Sequence, residues 1–200
     1  MQLMQAVQTN KTPQFVLSTE PIQSEILKDT RFAYNENYAG KSIIERAYVI
    51  VPRVDSAATE ILFSRRDFSD RFPYFYQLPG GIIENEDSDF SKLKTLVHNQ
   101  VGSVITNLQP FADKLWQLSD TNEQLVDCCS LYLADANPTS CGGRFGSHSS
   151  GLLWSSTKML PNYDIINLDK NLSPSNSGRM GLMILAAFEY MKNFKASSES

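Results

Sequence analysis

The sequence predicts an α/β domain built as a mixed β-sheet sandwiched between helices. Three observations predict it. Apolar residues make up 42% of the 200 positions, enough to close one substantial core. Segments of strand character and segments of helical period interleave, without the regular βαβ alternation of a doubly wound fold. The chain closes on an amphipathic helix over Arg179 to Phe194, with Met180, Met183, Ile184, Ala187, Phe188 and Met191 on its apolar face.

Residues 1–12 are polar. Phe15 to Leu17 reads as a short strand, and Pro21 suits the first turn of a helix ending near Lys28, with Thr19 or Glu20 as cap. Tyr34 to Gly40 reads as loop. Ile43 to Val51, β-branched and aromatic, is a strand ending at Pro52, and Glu60 to Phe63 is a second ending at Arg65-Arg66. Phe72, Tyr74, Phe75 and Tyr76 lead into Leu78-Pro79-Gly80-Gly81, a forced turn. An acidic stretch precedes a helix from about Ser88 to Val101, where Phe90, Leu93, Leu96, Val97 and Val101 keep the 3.6 period and Gly102 supplies the stop. Strands follow at Asp113 to Leu118 and Gln124 to Ala134, then a Gly/Ser-rich loop from Asn137 to Gly151 and the run Leu152-Leu153-Trp154. Residues 1–41 read as an N-terminal extension packing on the domain, 42–194 as the domain, and 195–200 as a tail.

Composition excludes several classes. A net charge of −4, with Arg65-Arg66 as the densest basic spot, gives no footprint for a nucleic-acid backbone. No apolar run approaches the roughly 20 residues that span a bilayer, and the N-terminus lacks the pattern of a secretory signal. Cys128, Cys129 and Cys141 fit neither a disulfide framework nor a zinc site, so reduced thiols in a cytoplasmic protein are expected.

Tyr76-Gln77-Leu78-Pro79-Gly80-Gly81-Ile82-Ile83-Glu84, the following helix and Val101-Gly102 together resemble the box of the Nudix hydrolases. That pattern is G-x5-E-x7-R-E-U-x-E-E-x-G-U with U apolar, introduced by an aromatic-x-apolar-Pro-Gly-Gly lead. The lead is complete here, and the box aligns without a gap from Gly81. Arg65 stands where the family often has an arginine, and Ser147-His148 to Trp154 is similar to the E-H-x-x-x-x-W run before the last helix. The likeness spans roughly residues 42 to 192 and implies a Nudix-like α/β/α sandwich. Within the box Gly81, Val97 and Gly102 match, and Asp87 replaces the first Glu. Thr95 stands for the Arg, Leu96, Asn99 and Gln100 for the next three Glu, and Ser103 for the final apolar residue.

The chemical consequence follows without the family. Positions 96, 99 and 100 share one helix face by their i, i+3, i+4 spacing. Carboxylates there make an anionic, oxygen-rich site suited to Mg²⁺ beside a diphosphate. Leucine offers no ligand, and Asn and Gln offer only neutral carbonyl oxygens. No metal and no cofactor is therefore expected, although Glu84, Glu86, Asp87 and Asp89 form an acidic loop that either binds a cation or simply favours the helix N-terminus.

Candidate acid–base groups are His148, in the loop that the resemblance sets beside the family's cleft, Asp127, mid-strand with Leu125 and Cys129 on its face, and Glu84. Arg65, Tyr76, Leu96, Asn99 and Gln100 are the candidate ligand contacts. His98 reads as a surface residue, and Cys128 and Cys129 as core packing. The aromatics around Phe68 to Tyr76 and the want of a basic phosphate cradle point to a small, largely apolar ligand. The leading expectation is a metal-independent, non-hydrolytic enzyme of isomerase or cyclase type. Behind it stand a catalytically silent binding protein for a nucleotide or protein partner, and a residual pyrophosphohydrolase using the acidic loop. The expected partner is a small molecule, with a homodimer possible, and neither nucleic acid nor membrane.

Overall fold

A computed structural model of the chain describes residues 25–28, 30–54, 59–66, 75–83, 90–119, 122–136, 151–155 and 178–198. Its strands are β1 (Ser42–Ile50), β2 (Pro52–Val54), β3 (Thr59–Arg65), β4 (Tyr76–Gln77), β5 (Gly80–Ile82), β6 (Ile105–Pro110), β7 (Leu115–Leu118), β8 (Leu125–Ala136) and β9 (Gly151–Ser155). The helices are α1 (Ser91–Val101) and α2 (Arg179–Ser198), preceded by short 3₁₀ turns in residues 25–38. Among the described residues no helix is long and apolar enough to cross a membrane.

The larger sheet runs β5-β1-β8-β6, with β7 also pairing with β8. β1 and β8 are parallel from Ser42↔Leu125 to Ile50↔Leu133, and the other pairs are antiparallel, so the sheet is mixed, as predicted. The parallel pair needs a long crossover, which the intervening turn, α1, β6 and β7 supply. A second sheet runs β2-β3-β4 with β9 on β3.

Side-chain alternation along β1 makes the sandwich. Ala47, Val49 and Val51 join Leu93, Val97 and Val101 of α1 in one core cluster. Tyr48 and Ile50, with Cys129, Leu131 and Leu133 of β8, join Met180, Met183, Ile184 and Ala187 of α2 in the other. The period of two in the strands thus separates two layers around one sheet. β3 does the same, sending Leu62 to the α1 side and Ile61 and Phe63 to the α2 side. Leu27 and Phe32, from the N-terminal segment, lie in the α2-side core.

Several boundaries differ from the sequence expectation. α1 begins at Ser91 rather than Ser88, because Phe90 adopts φ 60°, ψ 33° and packs edge-on against Tyr132 at 5.1 Å. The helix expected to end near Lys28 is a 3₁₀ turn, Glu25–Lys28, within the described residues. Pro52 does not end extended structure but passes the chain from the first sheet to the second. β6 carries no clear alternation: Asn107 has φ 51°, and the register against β8 shifts between Thr106 and Gln109, so the bulge hides the strand. The strand expected over Phe15 to Leu17 lies outside the described residues.

Candidate functional site

The Pro-Gly-Gly turn pairs with β1 and packs directly against α1. Pro79 O accepts from Val49 N–H at 2.9 Å, and Tyr48↔Gly80, Ala47↔Gly81 and Arg46↔Ile82 pair along β5. Gly80 lies so close to β1 that only a missing side chain permits it: a Cβ there would sit 2.2 Å from Ala47 O and 2.7 Å from Tyr48 Cα, and its φ is +137°. Gly81 is unlike it, since a Cβ would meet only Leu96 Cδ2, at 3.5 Å.

Gln100 locks this turn to the helix. Its Oε1 accepts from Gly80 N–H at 2.7 Å, and its Nε2 donates to Gly80 O at 2.8 Å. Gln100 is buried, so both bonds satisfy backbone groups shielded from water. A carboxamide meets a peptide N–H and C=O at once in this way, whereas an ionised carboxylate accepts but cannot donate. The divalent cation implied by the resemblance does not fit this face. Leu96 packs against Gly81, the Gln100 oxygen is taken up by Gly80, and Asn99 alone offers a neutral oxygen. Among the described residues no cluster of His, Cys, Asp or Glu has metal-binding geometry.

On the opposite face of β1 the fold assembles a polar cluster that no local pattern announces. Arg46 Nε donates to Asp127 Oδ1 at 2.9 Å. Arg179, the first residue of α2, donates through Nη1 to Asp127 O at 3.1 Å, and its Nη2 stands 3.5 Å from Asp127 Oδ2. Burial works against the charge on Arg46, but Tyr48 and Asp127 together raise its guanidinium above the usual value. Burial pushes the Tyr48 hydroxyl up, as does Cys129, while Arg46, Arg179 and Arg66 pull it down. Burial also pushes the Cys129 thiol up to about 11, against the pull of Arg179 and Arg46. A pKa near 11 leaves only about one thiolate in ten thousand at neutral pH. Brief iodoacetamide treatment of the native protein is therefore expected to leave Cys129 unlabelled by mass spectrometry. Rapid native labelling would contradict its burial.

The expected site residues divide accordingly. Arg65 and Tyr76 pair across β3 and β4, with the guanidinium carbon 6.0 Å from the ring centroid. Leu96 and Asn99 are half-buried on α1, whereas Gln100, expected at the ligand, is turned to Gly80. Asp127 shares its face with Cys129 as the alternation required, but it is an ion-paired carboxylate rather than one isolated among apolar neighbours. His148 and Glu84 lie outside the described residues. Arg46 and Arg179, from β1 and α2, meet at Asp127 only in the fold. Arg46 and Tyr48 are not among the expected site residues, and since β1 also carries Ser42 and Glu45, their spacing alone does not single them out.

No protein-family model matches the chain, and no curated protein matches it in sequence. Solved structures match by fold. A Nudix hydrolase from Nitrosomonas europaea superposes with TM-score 0.52 at 10% identity, covering 76% of this chain and 90% of that one. A C. elegans Ap4A hydrolase gives 0.51 at 10% identity, over 75% and 98%. The Nudix domain of Shewanella oneidensis NrtR, complexed with ADP-ribose, gives 0.51 at 13% identity, over 66% and 84%. Its mixed sheet between two helical layers, its Pro-Gly-Gly turn on β1 and these superpositions agree: the chain has the Nudix fold.

Proposed function

We propose that this chain is a Nudix-fold binding protein that holds a small anionic molecule of the nucleoside-diphosphate class without hydrolysing it. One observation carries the reading: the Gln100 carboxamide spends both its donor and its acceptor on Gly80, at the helix position where the family pattern has a glutamate. Metal-assisted attack on a pyrophosphate needs an anionic site for the cation, and this face supplies none. Arg46, half-buried, and Arg179, buried, both paired with Asp127, favour an anion over the apolar ligand expected from the sequence. The ADP-ribose complex of the NrtR Nudix domain supplies the first probe.

A metal-independent acid–base enzyme is the competing reading. It needs a group at liberty to exchange a proton, and both carboxylate oxygens of Asp127 face guanidinia. His148 and Glu84 would have to carry that chemistry.

Thermal unfolding with ADP-ribose and with ADP, in Mg²⁺ and in EDTA, tests the proposal. At a ligand concentration of about 100 Kd, stabilisation of about 2.7 kcal/mol is expected, with the ligand recovered intact by mass spectrometry. Absence of any stabilisation rejects binding. Turnover in EDTA that falls with His148→Ala returns the acid–base reading. Cleavage that requires Mg²⁺ and vanishes with Asp87→Ala returns the hydrolase.

A further inference from the structure

Arg46 comes from β1, Asp127 from β8 and Arg179 from the first turn of α2, and their side chains are 26%, 17% and 10% exposed. Among the described residues, two guanidinium charges here share a single carboxylate at a largely desolvated place, where excess charge is costly. Arg179 adds to the imbalance. It stands at the positive end of the α2 dipole, which disfavours a cation and favours an anion, and the first turn of α2 holds no acidic residue. The Arg179 Nη2 to Asp127 Oδ2 contact, at 3.5 Å, is long for a charged hydrogen bond. If the cluster served only to fasten α2 to the sheet, one cation for one anion would serve better. Two cations and a dipole around one carboxylate describe an oxyanion site whose occupant is the protein's own side chain.

We propose that Asp127 is an internal competitor for the ligand, and that a phosphate group of the bound molecule displaces its carboxylate from Arg46 and Arg179. The inference rests on the anionic-ligand reading above and adds how that site is regulated. In the latched state the guanidinia are held in place but their charge is spent on Asp127. Binding then requires the Asp127 side chain to rotate away while its carbonyl oxygen keeps the Arg179 Nη1 bond. Affinity is thereby held below what the arginines alone would give.

Titration calorimetry with inorganic pyrophosphate and with ADP-ribose, on the wild type and on Asp127→Asn, tests it. The amide keeps the shape of the side chain but removes its charge. Asp127→Asn is expected to bind both probes about tenfold more tightly, or more, while melting at a lower temperature without ligand. A merely structural ion pair predicts the lower melting temperature with unchanged or weaker binding, and that result overturns the latch. A second measurement needs only the wild type: saturating pyrophosphate should slow phenylglyoxal modification of Arg46 and Arg179, read by peptide mass. Modification unaffected by pyrophosphate overturns it too. Equal affinity of ADP-ribose for both proteins removes the latch alone, whereas no binding to either removes the binding reading.

Discussion

Replacing Gly80 with alanine is expected to lower the melting temperature by roughly 6–12 °C, while the same change at Gly81 moves it by no more than a degree or two. The difference comes from what a Cβ would meet. At Gly80 it would lie 2.2 Å from Ala47 O and 3.0 Å from Ala47 C, atoms of the central strand that cannot move without shifting β1. The positive φ of +137° adds strain that an L side chain cannot relieve. A displacement of the turn also breaks the paired bonds to Gln100, so about 3 kcal/mol or more is expected to be lost. Gly81 has no positive φ, and its Cβ would make an ordinary contact with Leu96. There the reduced entropy of the unfolded chain offsets the small packing change. Differential scanning fluorimetry on both variants reads the contrast. Equal losses would mean that Gly80 does not approach β1 as closely as its geometry shows.

That asymmetry was hidden in the sequence, where Gly80 and Gly81 stand side by side in one lead. What was legible was whatever local period or turn chemistry enforces: the apolar run of β1, the 3.6 period of α1 and α2, and the Pro-Gly-Gly turn itself. The absence of box carboxylates could also be read directly, because i, i+3, i+4 spacing fixes the face. Other features depend on partners far apart along the chain. Gln100 meets Gly80 across 20 positions, Asp127 meets Arg179 across 52, and Arg46 meets Asp127 across 81. The first pair falls inside one motif, but nothing in its spacing shows the bond, and the other two span separate segments of the chain. By chemical type Gln100 reads as a poor metal ligand at a ligand face, whereas the fold turns its carboxamide to Gly80. It is a poor ligand because its carboxamide is already committed. The arginines that pair with Asp127 arrive from β1 and α2 only on folding, so its sequence neighbours do not show them.

Gln100→Glu is the sharper trial of that commitment, since it changes one nitrogen to oxygen at nearly constant volume. At neutral pH the new carboxylate still accepts from Gly80 N–H, but it sets an anionic oxygen against Gly80 O in place of the 2.8 Å donor contact. An uncompensated buried charge and a lost bond together are expected to cost about 3–5 kcal/mol in urea unfolding at pH 7.5. Protonation reverses the chemistry, because a carboxylic acid presents one donor and one acceptor and so copies the carboxamide. Burial and the facing carbonyl both favour the protonated form, so the folded-state pKa lies above the unfolded value of about 4.3. A raised pKa means that the folded state binds the extra proton. The deficit relative to wild type is then smallest below about pH 4.3, grows as pH rises, and levels off once pH has passed the folded-state pKa. Gln100→Met lacks any proton to gain and should show a deficit that does not depend on pH. A flat deficit in the glutamate variant, or wild-type stability for it at pH 7.5 in EDTA, would show that the amide nitrogen does not hold Gly80. The turn would then be open to the carboxylate chemistry that the present side chain excludes.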